Sequence, residues 1–563
     1  MLRLRNARVI DPAQGLDDVA AGTRRDLFVD AGRMAADPGP QAAIDHDVDL
    51  AGAVVMAGAI DIHTHIGGGK VNIARTLLGE DHLLNRRAGR LLEGGGWQHA
   101  GCGHATPTTW ATGYRYAEMG YTTCFEPAML PTNARQTHLE LGDTPMVDKG
   151  AYAMLGNDDF FLHLLAGGAE PQTLADYVGW TLDHTQAMAL KVVNPGGISA
   201  FKFNARALDF DDLHPHYRIS PRQVLQALVR AVHTLGVPHP LHVHASNLGV
   251  PGNADTTLAT MLAAEGLPIH ITHIQFHSYG TEGERRFSSE AERIADAVNA
   301  QPNVSIDVGQ IMFGQTITAS GDTMAQYRNH RHASPKNWMC MDIECDAGCG
   351  VVPFRYRDQN FVNALQWAIG LELFLRVRDP WRIFLTTDHP NGAPFTSYPH
   401  LIRLLMDRDF RNRMLDAVHP DVAAHSQLRN LEREYTLAEI ATMTRAAPAR
   451  SLGLADRGHL KPGAAADIVA YRDDPDREAM FARPSHVFKD GELIVRDGAV
   501  VRTVQGAVHA VKPEYDHAIE QPLAAHFERT MTLRLDHLKL SADDLCTCGS
   551  SRLMAHACRR AAP

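Results

Sequence analysis

Short apolar runs alternate with amphipathic stretches through most of this chain, and the two ends break that rhythm. Residues 2–10 alternate apolar and polar side chains and stop at Asp11-Pro12, a turn pair; residues 26–29 and 47–50 are further short strand patterns. The same texture returns at 467–471, 485–488 and 493–496, the last two separated by Lys489-Asp490-Gly491. This predicts one small β unit assembled from both ends. Between them, strand patterns at 54–62, 122–126, 189–193, 241–244, 269–273, 304–308 and 383–387 are spaced by helical patterns such as 221–235 and 290–299. Repeated βα units imply a parallel sheet, either a barrel or a doubly wound sheet. No Gly-x-Gly-x-x-Gly follows the first strand, which counts against dinucleotide binding. Polar residues gather just after the strands, where a barrel carries its active site.

Composition narrows the function classes. At 563 residues the chain is long enough for two to four structural units. Net charge is −11 with both signs dispersed, and no basic run could follow a phosphate backbone, so nucleic acid is not an expected partner. Apolar runs reach about ten residues, short of the roughly 20 that span a bilayer, and no signal peptide is expected. The eight cysteines are scattered, which suits a reducing cytoplasm better than a disulfide framework. Cys340, Cys345 and Cys349, and the late group Cys546, Cys548 and Cys558, match no common zinc or iron–sulfur spacing and are read as ordinary thiols. Histidine is abundant, at 31, whereas only nine lysines stand against 45 arginines, so each lysine can be weighed singly.

The strand ends carry metal-ligand chemistry. His63-Thr64-His65 closes the first barrel strand; residues two apart on a strand share a face, so both imidazoles can converge on one ion. His242-Val243-His244 closes another strand. His270-Ile271-Thr272-His273, followed by His277, closes the next, and strand alternation lets at most one of His270 and His273 face a given site. Asp388, in Thr386-Thr387-Asp388-His389-Pro390, ends a late strand and could both ligate and move a proton. A pair of divalent ions about 3.5–4 Å apart needs an anionic bridge. A neutral lysine amine that takes up carbon dioxide becomes such a bridge. Lys191 and Lys202 both sit among apolar neighbours that disfavour the ammonium form, and the residues alone leave the choice between them open.

His63-Thr64-His65, a later lysine, His244, His273 and Asp388 occur in the order that resembles the amidohydrolase superfamily, in the branch of hydantoinases and dihydroorotases. The stretches Lys191-Val192-Val193-Asn194-Pro195-Gly196-Gly197, His242-Val243-His244-Ala245-Ser246-Asn247 and Thr272-His273-Ile274-Gln275-Phe276-His277 carry a more specific resemblance. They look like the amidohydrolase-type subunits of formylmethanofuran dehydrogenases and of the bacterial formyltransferase/hydrolase complexes. The resemblance implies an α/β fold: a (β/α)8 TIM-like barrel over 57–448, a small β-sandwich from 1–56 plus 449–505, and a C-terminal extension over 506–563. It implies two divalent metal ions, zinc in that family, with His63 and His65 on one and His244 and His273 on the other. Carbamylated Lys191 would bridge them, although the Phe201-Lys202-Phe203 context points to Lys202. Asp388 would complete the first site and act as the catalytic acid–base, with Asn247 and His277 against the substrate. The implied reaction is hydrolysis of a formylated methanofuran-type carrier, in a complex with other subunits and away from membranes. The alternatives are the corresponding component of a methanogen-type dehydrogenase, a cyclic amidohydrolase and an inactive scaffold.

Overall fold

The structure is a computed structural model that describes residues 1–79, 105–205, 207–319, 351–547 and 552–559; Cys340, Cys345, Cys349 and Cys548 lie outside them. Eight parallel strands run in chain order: Ala59–Asp61, Tyr121–Met129, Asp148–Met154, Ala189–Val193, Leu241–His244, Ile269–Ile271, Val304–Asp307 and Ile383–Phe384. The sheet curls until its last strand returns to its first through a parallel bridge between Thr64 and His389. Helices between the strands bury one stripe against it. In Pro221–Leu235, Val224, Leu225, Leu228, Val232 and Leu235 are buried at the three- and four-residue spacing of a helix face. Ser220 and Gln223 form a capping box at its start, and Gly236, at φ 66°, ends it in the left-handed region that glycine tolerates.

The expected strand 54–62 is two strands in two sheets. Val54–Ala57 pairs with Leu2–Asp11 and Ile468–Tyr471 in the end-built sheet, while Ala59–Asp61 starts the barrel. Gly58 is the crossing. Its N–H donates to the Asp467 carbonyl on one side, and Ala59 N–H donates to the Gly120 carbonyl on the other. A Cβ on residue 58 would lie 2.1 Å from Thr122 Oγ1, so only glycine fits the close approach. The second sheet runs from Ala499–Val500 through Glu492–Arg496, His486–Lys489, Ile468–Tyr471, Val54–Ala57, Leu2–Asp11 and Arg25–Asp30 to Arg33–Ala35. It folds over its own core, which includes Leu4, Val9, Val29, Val55, Ile468 and Phe488.

The chain beyond 506 is built onto the barrel. Val508–Lys512 pairs in parallel with Leu553–Ala557 and meets the third barrel strand at Lys149. Buried charge joins all three parts. Asp148, on the third barrel strand, accepts from Lys489 Nζ at 3.0 Å and Arg457 Nε at 2.9 Å, and from the Ala507 N–H at 2.7 Å. Lys489 also reaches Asp467 at 3.2 Å, and the Asp148, Arg457 and Lys489 side chains are at most 1% exposed. Removing one partner from such a network strands the other charges without water. Lys489→Met is therefore expected to lower stability by about 3–5 kcal/mol in denaturant unfolding of the purified chain. A change under about 1 kcal/mol would show that the network does not hold the parts together.

Candidate metal centre

The loops after the first, fifth, sixth and eighth barrel strands bring histidine and aspartate to one buried place. Asp388 Oδ1 lies 2.8 Å from His63 Nε2 and 3.3 Å from His65 Nε2. Among the described residues, His63 Nε2, His273 Nδ1 and both ring nitrogens of His277 have no hydrogen-bond partner. Buried polar atoms are nearly always paired, so bare nitrogens beside a carboxylate make a candidate ligand set. His63, His273 and Asp388 offer donor atoms that all lie within 4.8 Å of one another. Imidazole with carboxylate suits a divalent transition metal.

Backbone geometry that strand alternation does not supply turns two of these side chains inward. His273 and Asp388 stand at φ 36° and 49°, left-handed conformations that cost a residue with a side chain free energy. Asp307 Oδ1 accepts from the His273 N–H at 3.0 Å, and Gly309 leaves the room: a Cβ there would lie 2.4 Å from His273 Cβ. His270, on the strand itself, points instead into the barrel interior and meets Asp307 Oδ2 at 3.0 Å.

Three acidic residues that the sequence motifs do not single out support the histidines. Glu126, on the second strand, accepts from His65 Nδ1 at 2.9 Å and from the N–H groups of Ile66 and Gly67 at 2.7 and 3.1 Å. This fixes the His65 proton on Nδ1 and turns its Nε2 towards Asp388. Burial would raise the Glu126 carboxyl, but His65 and these donors outweigh it and hold it below its ordinary range. Asp307 likewise is held down to about 2 against burial by His63, His270 and Thr272. Asp61 accepts from Tyr398, Tyr116 and the His63 N–H, yet burial pushes it up to about 7. Each lies on a barrel strand, which was the one available signal.

A cavity of about 180 Å³ opens on this cluster. His65, Lys191, His244, His273 and Asp388 form its polar floor, with Leu130, Met154, Val193, Leu248 and Phe276 among its apolar walls. Lys191 is 2% exposed, and burial pushes its amine down to about 8. Lys202 is exposed at the end of the helix Gly197–Lys202, away from the cavity. His277 stacks on His273 at 5.3 Å between ring centres, behind the cavity wall. Asn247, expected against the substrate, is turned away: its amide donates to Asp209 at 2.8 Å and Thr256 at 3.2 Å, and it lines a separate open groove. Its own φ of 63°, after the strand Leu241–His244, swings it out of the row that His244 occupies. Burial pushes His63 down to about 4, and His273 and His277 well below the usual imidazole range, so these rings are neutral near pH 7. Asp388 would be raised by burial, but the imidazoles of His63 and His273 keep it well below its ordinary value.

Comparison with known proteins fits this geometry. The model of the amidohydrolase family matches residues 47–502. The A component of the formyltransferase/hydrolase complex Fhc of Methylorubrum extorquens is 44% identical over 541 residues, 95% of this chain and 96% of that protein. The protein FwdA of Methanocaldococcus jannaschii is 40% identical over 522 residues, 89% of each chain. The crystal structure of the Methylorubrum extorquens complex FhcABCD with methylofuran contains a chain similar to this one. That chain has a TM-score of 0.91 and 41% identity, and the match covers 99% of this chain and 100% of that one.

Glu126 gives a direct test of the supporting shell. Glu126→Gln keeps the shape but can offer an N–H to His65, which disturbs the tautomer. Metal affinity, measured by chelator competition, is expected to fall about 10–100-fold with little change in melting temperature. Unchanged affinity would remove Glu126 from this role.

Proposed function

The chain belongs to the amidohydrolase family, and on that premise we propose that it hydrolyses the N-formyl amine of a methanofuran-type carrier. The products are formate and the free amine, and the chain acts as the hydrolase component of a formyltransferase/hydrolase complex in one-carbon metabolism. The observation that carries this reading is the similarity, over 95% of the chain, to the A component of such a complex. In this reading the catalytic barrel is 57–448, the β-sandwich is 1–56 plus 449–505, and 506–563 is an extension. The scattered thiols fit the cytoplasm as its compartment. Among the described residues, no helix is long and apolar enough to cross a membrane.

His63, His65 and Asp388 would hold one divalent ion and His244 and His273 a second, both zinc, with carbamylated Lys191 between them. Such ions supply Lewis acidity to a carbonyl oxygen and lower the pKa of a water. Lys191 suits the bridging role because burial brings its amine down to about 8. A useful fraction is then neutral near pH 7, the form that adds carbon dioxide. The Lys202 amine is solvated and lies away from the cavity, so the bridge falls to Lys191.

The protein's own groups do the proton work. Asp388 is ionised and buried at the cavity floor, with Asn391 Nδ2 donating to its Oδ1 at 3.0 Å to fix its orientation. It can take a proton as water adds to the formyl carbon and hand it to the departing nitrogen, which would otherwise leave as a poor anion. The apolar walls at Leu248 and Phe276 suit a flat furan-type ring beside the formyl group and keep bulk water from the reacting atoms.

Asp388→Asn is expected to keep most of the metal and to lose at least about 10²-fold in formate release from formylated carrier, assayed in the assembled complex. Full activity in that variant would sink the assignment. Lys191→Ala is expected to lose bound metal by elemental analysis; unchanged occupancy and rate would exclude Lys191 as the bridge. Turnover of hydantoins or dihydropyrimidines, with none of the formylated carrier, would replace the proposed substrate with a cyclic amide.

A further inference from the structure

A separate two-stranded sheet, Gly314–Ala319 with Val351–Tyr356, lies against the loop that carries Asp388. Strand alternation gives it two faces. Ile317 turns to one, where it packs with Ala74, Leu78 and Ala105 beside the helix Gly69–Leu77. Thr316 and Thr318 turn to the other. The antiparallel register sets Thr316 opposite Phe354 and Gly314 opposite Tyr356, so both rings share the threonine face. The loop offers that face its backbone carbonyls. Asn391 N–H donates to the Asp388 carbonyl at 2.6 Å and Gly392 N–H to the Thr387 carbonyl at 3.0 Å, which closes the turn. The Pro390 carbonyl accepts from Thr316 Oγ1, and the Asn391 carbonyl from the Tyr356 hydroxyl at 3.1 Å.

Tyr356 is 4% exposed, and Phe354 meets its ring edge-on with ring centres 4.6 Å apart. A phenol has one proton to give, and here the Asn391 carbonyl takes it. Thr318 Oγ1, on the cavity wall, lies 3.4 Å from the same hydroxyl. Asn391 is gripped at both ends: its carbonyl accepts from Tyr356, and its side-chain amide donates to Asp388 Oδ1 at 3.0 Å. Asp388 stands at φ 49°, a left-handed conformation that its surroundings must hold. Its carboxylate turns about a last bond with a broad torsion. A reacting group displaced by about 1 Å can lose about 10²-fold in rate, so the direction of this carboxylate matters to the chemistry.

We propose that Tyr356 is a positioning residue for Asp388: from the two-stranded sheet it holds Asn391, and Asn391 aims the carboxylate into the cavity. The inference rests on Asp388 as the proton carrier of the proposed function, and it adds the element that sets the direction of that carboxylate. Thr316, on the neighbouring strand, anchors the same loop one residue earlier, at Pro390.

The test uses the assembled complex. Tyr356→Phe removes one oxygen and keeps the ring against Phe354. Its kcat for formate release from formylated carrier is expected to fall about 10–100-fold, with KM and bound metal within about twofold of wild type. An unchanged kcat, or a loss confined to KM, would overturn the proposal. Asn391→Ala and the double variant separate this role from plain packing. If Tyr356 acts through Asn391, the double variant is no slower than Asn391→Ala within about twofold, whereas multiplying losses would place Tyr356 outside that line. A crystal structure of Tyr356→Phe is expected to show the Asn391 amide displaced from Asp388 Oδ1; an unchanged contact would overturn the proposal whatever the substrate. If Asp388→Asn releases formate at the wild-type rate, the proton carrier of the proposed function fails. That result is distinct from the others, and the crystal structure then decides alone whether Tyr356 sets the Asp388 side chain.

Discussion

A carboxylate buried among histidines is the constraint from which this site is built. Asp307 is fully buried, and a lone ion in that place would cost several kcal/mol. It is made tolerable by converging donors: His270 Nε2 at 3.0 Å, Thr386 Oγ1 at 2.7 Å and the His273 N–H at 3.0 Å. These partners come from the sixth and eighth strands and the loop between strand and helix, so satisfying one charge fixes the relative position of three segments. The His273 backbone is held in its left-handed turn by this bond. The placement of a ligand candidate and the solvation of the carboxylate are therefore one arrangement.

Two further carboxylates follow the same logic at other corners. Glu126 collects His65 and two backbone N–H groups, and thereby ties the first strand's loop to the second strand. Asp148 does for the frame what Asp307 does for the site: it gathers a lysine, an arginine and a backbone N–H from the far end of the chain. The result is a rigid cup in which neutral imidazoles face an ionised Asp388. In the proposed function, preorganisation of that kind would let the site meet a substrate without reorganising.

Much of the architecture was legible because it rests on periodicity. The helix at 221–235 was read from its helical pattern, and the strands at 189–193 and 241–244 from their apolar runs. Two features were not legible. The strand Asp148–Met154 begins with Asp148 and Lys149, which on sequence pattern look like surface residues. Only the distant Arg457 and Lys489 make burial of Asp148 tolerable. The split at Gly58 was hidden because the run on either side of it, 54–60, is apolar throughout, and only the strand pairing and the packing of Thr122 show that two sheets meet there.

By itself the sequence determined which chemistry was available. His63, His65, His244, His273 and Asp388 sit at strand ends in barrel order, and strand periodicity alone sends such residues to one end of a parallel sheet. It also determined the choice of candidate lysines, because there are so few. The tertiary structure decided which atoms meet. It put Lys191 in the cavity floor and Lys202 at the surface, turned Asn247 towards Asp209, and brought Glu126, Asp307 and His242 behind the histidines. The physical reason is that ligand direction depends on left-handed turns and on carboxylates satisfied by donors far away in sequence. Neither leaves a periodic trace along the chain.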